Sequence, residues 1–230
     1  MRCCIVDWAW LACGVPCEFA EGAKVSDTGL FPPYQNKGRQ ISKSVKQAQS
    51  IVGYSEKRAI NDFYPTPPEG TKALLNRVEF DKRVWECACG DGAISKVLIE
   101  RGYDVVSTDL FDYGYGKSGV DFLRTSSEYR KELRVGTIIT NPPYKLAEKF
   151  LSQAHYIGIS TIAMLLKLSF LEGQNRRALF EKLPPAQVLV FSKRLTFNKN
   201  GVKSSRTGMI AFAWFVWQFD KNTKTEVGWL

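Results

Sequence analysis

Val84-Trp85-Glu86-Cys87-Ala88-Cys89-Gly90-Asp91-Gly92-Ala93-Ile94 is the stretch on which the fold is decided. Arg83 to Cys87 reads as a short apolar strand and Cys89 to Gly92 as a glycine turn. Ala93 to Arg101 reads as a helix with Ile94, Val97 and Leu98 on one face. A strand that turns through glycines into a helix opens a βαβ unit, and the glycines let the backbone approach a ligand with no Cβ in the way.

The alternation continues outward from there. Before it, Glu69 to Val78 predicts a helix behind a proline-rich turn. After it come a strand over Tyr103 to Ser107, a Gly/Tyr-rich loop, a charged helical segment and a strand over Gly136 to Thr140. A helix over Leu146 to Tyr156, strands over Thr161 to Leu166 and Gln187 to Phe191, and a helix near Asn175 to Lys182 follow. Strands that alternate with helices predict an α/β domain, with a mostly parallel sheet of seven strands covered by helices on both faces. The strands Gln187 to Phe191 and Met209 to Phe219 are joined by the basic loop Ser192 to Gly208 with no helix between them. A hairpin is expected there, with the last strand antiparallel at the sheet end. The domain is expected to span residues 61–230, behind a basic, partly irregular extension over 1–60.

The 230 residues carry a net charge of +9, which favours a polyanionic partner over an acidic or membrane-embedded role. Lys37, Arg39, Lys43, Lys46, Lys57 and Arg58 form one basic cluster; Lys193, Arg194, Lys199, Lys203 and Arg206 form another. The second is the expected nucleic-acid contact. A merely solvated basic surface is the plainer account of both. No apolar run approaches the roughly 20 residues of a membrane span, and Asp7 interrupts the apolar start, so a cytoplasmic protein is expected. His155 is the only histidine, which argues against Ser-His and Cys-His hydrolytic triads. Cys3, Cys4, Cys13 and Cys17 lack paired C-x-x-C spacing, so small apolar side chains explain them better than a zinc site, and no metal is expected.

Two segments carry the candidate chemistry. In the first, the turn over Ala88, Cys89, Gly90, Asp91 and Gly92 is expected to cradle a ligand, with the next helix offering N–H groups to its carboxylate. Glu86 could accept from an ammonium group, and Asp109, 17 positions after Gly92, suits two ribose hydroxyls. The third glycine of the dinucleotide fingerprint is missing, which weighs against a dehydrogenase. In the second, Asn141-Pro142-Pro143-Tyr144 follows the strand Thr137 to Thr140. Successive prolines fix φ and carry no N–H, so their carbonyls point rigidly. Asn141 Oδ1 and the Pro142 carbonyl could accept both hydrogens of an aromatic amine and turn its lone pair toward an electrophilic methyl group. Tyr144 offers a flat face for a base rotated out of a duplex.

Asp62-Phe63-Tyr64-Pro65-Thr66-Pro67, Glu86 to Gly92 and Asn141 to Tyr144 resemble motifs X, I and IV of DNA N6-adenine methyltransferases, in the order of the gamma class and of small phage-type enzymes. The resemblance covers roughly residues 60–219 and implies a Rossmann-like class I methyltransferase fold with S-adenosylmethionine as cofactor. Tyr64, Pro65, Thr66 and Pro67 would hold its methionine end and Glu86 to Gly92 would cradle it. Asp109 and Leu110 would sit at its ribose, and Asp121 with Phe122 at its adenine. Arg194-Leu195-Thr196-Phe197 resembles motif VIII, whose aromatic residue would sandwich the flipped base against Tyr144; Phe197 as an ordinary loop anchor stays open. About 50 residues separate Gly92 from Asn141, too few for an inserted recognition domain. The implied reaction is methyl transfer to adenine N6 in DNA. Asn-Pro-Pro-Tyr also resembles the signature of RNA adenine and protein glutamine methyltransferases, whose acceptors share an sp² nitrogen with two hydrogens. The oligomeric state is not legible.

Overall fold

A computed structural model of the chain describes residues 64–197, 210–221 and 224–230. The extension over 1–60 with its basic cluster and four cysteines, Asp62 and Phe63, and Lys199, Lys203 and Arg206 lie outside the described residues. Twelve elements organise the rest. They are α1 (Pro68–Leu75), β1 (Arg83–Glu86), α2 (Ala93–Glu100), β2 (Asp104–Ser107), α3 (Ser127–Leu133), β3 (Thr137–Thr140), α4 (Ala147–Tyr156), β4 (Thr161–Lys167), α5 (Gln174–Lys182), β5 (Gln187–Val190), β6 (Phe212–Gln218) and β7 (Glu226–Trp229).

The strands form one seven-stranded sheet in the order β2-β1-β3-β4-β6-β5-β7. β1 pairs in parallel with both β2 and β3, and β3 with β4. β6 runs antiparallel between β4 and β5, and β7 lies parallel to β5 at the far edge. The expected antiparallel strand therefore exists, but it is not at the sheet end. The physical reason is its composition. Phe212-Ala213-Trp214-Phe215-Val216-Trp217 is buried along its whole length, and a strand apolar on both faces has to be interior. The edge position falls instead to β7, which the sequence reading missed. Val227 and Trp229 there are 55% and 67% exposed.

Helices cover both faces, as expected. On one, Leu74 of α1 and Ile94 and Leu98 of α2 pack with Val84, Ile139, Leu165 and Trp214. Trp214 also donates its indole N–H to the Gly70 carbonyl at 2.8 Å, which ties α1 to the sheet centre. On the other face, Phe150, Leu151 and Ala154 of α4 pack with Trp85, Ile138, Ile162 and Trp217, flanked by α3 and α5 side chains. Burying these large side chains contributes about 2 kcal/mol each before chain entropy is charged against it. Strand order reverses between β2 and β3 on either side of β1. A crevice opens at such a point, beyond the carboxyl ends of the strands.

Candidate active site

A cleft of about 870 Å³, counted to its open mouth, lies at that reversal. Its walls come from the segments following β1 (Glu86 to Cys89, and Asp91), β2 (Asp109, Leu110, Phe111) and β3 (Asn141, Pro143, Tyr144). Tyr64, Pro65 and Thr66 close it from the chain preceding α1, and Asp121 and Phe122 from the far loop. The two motif regions singled out from the sequence thus share one cavity. Of the residues expected here, Pro67, Gly90, Gly92 and Pro142 support the walls without lining them, and Phe197 lies outside.

The turn after β1 is braced from several sides. Gly90 and Gly92 have φ of 53° and 79°. A Cβ on Gly92 would come within 2.5 Å of the Tyr115 ring, so this glycine serves both the turn and a close approach. The Cys89 N–H donates to the Thr108 carbonyl at 3.0 Å, and the Gly90 N–H donates to Asp109 Oδ2 at 2.8 Å. Asp109 Oδ1 accepts from the Phe111 N–H at 2.9 Å. Each oxygen keeps a second acceptor position, so the carboxylate is oriented by the backbone and can still receive hydroxyls.

Glu86 lines the cleft but is largely engaged within the protein. It is 1% exposed, and its Oε2 accepts from both the backbone N–H (2.7 Å) and the hydroxyl of Ser95, one turn into α2. Ser95 Oγ lies 2.6 Å from Ser107 Oγ, extending the chain to β2. Burial pushes the Glu86 carboxyl up to about 8, against the lowering effect of the Ser95 bonds. Burial thus favours the protonated carboxyl over a standing anion. The α2 N-terminus is likewise partly claimed by the protein itself, because the Ala93 N–H donates to Asp91 Oδ1 at 3.2 Å and the Ser95 N–H to Glu86. The expectation that these N–H groups would receive a ligand's carboxylate does not hold for those two. Both cysteines here are neutral thiols: burial raises Cys87, and Cys89 to about 12.

On the opposite wall Asn141 is held by its amide nitrogen. Nδ2 donates to the Tyr64 carbonyl at 3.3 Å and to Thr66 Oγ1 at 3.0 Å. A carbonyl can only accept, so the orientation of the amide is decided by chemistry: nitrogen toward Tyr64, Oδ1 away from it. Tyr144 begins a short 3-10 turn, Tyr144–Leu146, leading into α4. Its ring lies 5.9 Å from that of Phe212, and Phe212 lies 4.8 Å from Phe197. Phe212 is therefore an aromatic link between the two residues expected to sandwich a base, and no sequence signal marks it, since it reads as one more apolar position of β6. In the segment before Phe197, Leu195 is buried against Gly70, while Lys193 and Arg194 are exposed.

The site also contains Phe111 and Tyr113, which the sequence reading passed over. Their rings meet edge to face at 6.3 Å, and Phe111 is 43% exposed at the cleft. The cluster of aromatics directly behind Asp109 was the available signal. Asp121 caps its own turn, with Oδ1 accepting from the Leu123 N–H at 3.0 Å and Oδ2 3.5 Å from Arg124 Nε.

No known family profile matches the chain, and no curated protein sequence does. Solved structures do. One named as an RNA methyltransferase from Pyrococcus horikoshii superposes with a TM-score of 0.52 at 15% identity, covering 77% of this chain and 98% of that one. One named as a modification subunit of a type I restriction enzyme from Vibrio vulnificus gives 0.50 at 13% identity, covering 80% of this chain. The chain spans about half, 49%, of that subunit. At such identities the likeness concerns architecture alone. By strand order, helix layers and cleft position, this chain has the Rossmann-like class I methyltransferase fold.

Proposed function

We propose that the protein is an S-adenosylmethionine-dependent methyltransferase that acts on the N6 amino group of adenine in DNA. The observation that carries this reading is the anchoring of Asn141 by Tyr64 and Thr66. It turns the amide oxygen, rather than the nitrogen, toward an acceptor amine. The cleft suits the cofactor. Asp109 is backbone-oriented with acceptor capacity for ribose hydroxyls, Phe111 and Tyr113 offer flat apolar faces, and Phe122 borders the far end. The two structural neighbours, one named as an RNA methyltransferase and one as the modification subunit of a restriction enzyme, agree with methyl transfer to nucleic acid.

S-adenosylmethionine supplies an electrophilic methyl on a sulfonium centre. The remaining tasks belong to the chain. Asn141 Oδ1, with the Pro142 carbonyl, accepts from the amine N–H groups, localises the lone pair on nitrogen and holds the developing positive charge. Tyr144 presents its ring to the extruded base, and Phe212 and Phe197 continue the aromatic surface beside it. The neutral Cys87 and Cys89 thiols fit a direct transfer with no covalent enzyme intermediate.

Adenine in RNA, or a protein glutamine amide, would present the same sp² nitrogen. Incubation with tritiated S-adenosylmethionine and separate DNA, RNA and protein, followed by nucleoside analysis, distinguishes them. Label in N6-methyldeoxyadenosine is the expected result; label confined to RNA or protein would overturn the substrate assignment.

A further inference from the structure

One cation stands beside Tyr144, outside the lining of the cleft. Lys167 is the last residue of β4, in register with Phe212 of β6. Its Nζ lies 5.2 Å from the centroid of the Tyr144 ring. Tyr144 lines the cleft, whereas Lys167, Phe212 and Phe197 do not, so aromatics and an ammonium adjoin the Tyr144 ring outside the cleft lining. Among the described residues no carboxylate forms an ion pair with Lys167. The half-buried ammonium has three donors and an attraction to the ring face, but no anion among the described residues. β4 and β5 are both antiparallel to β6 and so run the same way, and exposed Lys193 and Arg194 leave β5 at the end of the sheet where Lys167 stands.

We propose that Lys167 binds a backbone phosphate of the nucleotide whose base rests on Tyr144, making the acceptor subsite one for a nucleotide rather than for an uncharged side-chain amide. This inference rests on the proposed methyltransferase reading and assigns its acceptor subsite a charge. A protein amide brings no negative charge to the place where this ammonium waits. A nucleotide brings a base for the rings and a phosphate for the amine within one residue. Lys167 thereby positions the acceptor and takes no part in moving the methyl group.

The test is equilibrium binding of the full chain to a labelled adenine-containing oligonucleotide duplex across a salt series, together with steady-state methylation. Lys167→Met should weaken duplex binding about three- to tenfold and reduce the slope of log affinity against log salt by about 0.9, the value for one phosphate contact. Lys167→Arg should restore both, and S-adenosylmethionine affinity should stay unchanged. In turnover, KM for the duplex should rise about tenfold while kcat stays within about twofold. Unchanged affinity and slope in Lys167→Met would overturn the inference. So would a loss of affinity with unchanged slope in both variants, which is the signature of a packing role. A wild-type protein that binds the duplex through Lys167 yet places no methyl on adenine would refute the proposed reaction and leave the phosphate contact standing.

Discussion

The two sides of the cleft are built differently. On the proposed cofactor side the polar groups are held within one βαβ unit: Asp109 by the Gly90 and Phe111 N–H groups, Glu86 by Ser95 across the first turn of α2. On the proposed acceptor side the partners come from several separate elements. Asn141 reaches Tyr64 and Thr66, Tyr144 meets Lys167 and Phe212, and Phe212 meets Phe197. A pocket for an invariant small molecule can be written into one βαβ unit. A surface for a base that arrives from outside has to be assembled from several strands, and its shape depends on the whole sheet.

The sharpest way to break this contrast is to ask whether Glu86 is a standing charge. Its carboxyl is raised to about 8 in the folded state, so between pH 4.5 and 8 the unfolded chain ionises there while the folded chain stays protonated. The native state binds more protons, hence stability falls as pH rises through that window and levels off above it. Relative to Glu86→Gln, the wild type should lose about 4 kcal/mol from pH 4.5 to 8 in chemical denaturation. Parallel profiles for the two proteins would mean that the cofactor side holds an ionised carboxylate after all.

Asn141→Ala comes next and addresses the acceptor side. Removing the oriented amide oxygen should lower kcat about 10²–10³-fold, with S-adenosylmethionine affinity changed only a few-fold through loosening of the Tyr64–Thr66 segment. Activity within a factor of a few of the wild type would end the proposed role. Asp109→Asn replaces an acceptor oxygen with an N–H₂ facing a backbone donor. It should weaken S-adenosylmethionine binding about 30-fold in calorimetry and leave duplex binding intact; comparable affinities would detach Asp109 from the cofactor. The smallest effect is expected for Thr66→Val. It removes one of two anchors of the Asn141 amide and should reduce kcat about fivefold at unchanged KM. An unaltered kcat would show that the Tyr64 carbonyl alone orients the amide.

The cofactor side was also the legible one. A short strand, a glycine turn, an amphipathic helix and an acidic residue after the next strand are local signals, and β1, α2 and β2 form within a residue or two of their predicted bounds. The tie from Glu86 to Ser95 was not legible, because Ser95 lies nine positions on, across a turn that spacing alone does not fold. On the acceptor side the sequence marks Asn141 to Tyr144 and Phe197, but not Lys167 or Phe212. Lys167 and Phe212 are ordinary ends of apolar strands until register places them opposite each other. β7 escaped because it is only four residues long and largely exposed, too short for the Val227 and Trp229 alternation to announce a strand. The interior place of β6 could have been read from its apolarity, but a hairpin from β5 allows it on either side, and pairing with β4 decides the matter.

That pairing has a consequence for the order in which the molecule can be made. β5 reaches the rest of the sheet only through β6, so residues 187–190 have no neighbour to add to until residues 212–218 have been synthesised and inserted. β1, β2 and β3 can pair as they emerge, whereas β4 presents an unpaired apolar edge for about 50 residues of synthesis. At the ribosome the small-molecule pocket can therefore form first, and the surface that meets the acceptor is completed late. A chain interrupted before residue 212 would keep much of the former, lack the latter, and expose two apolar strand edges prone to aggregation.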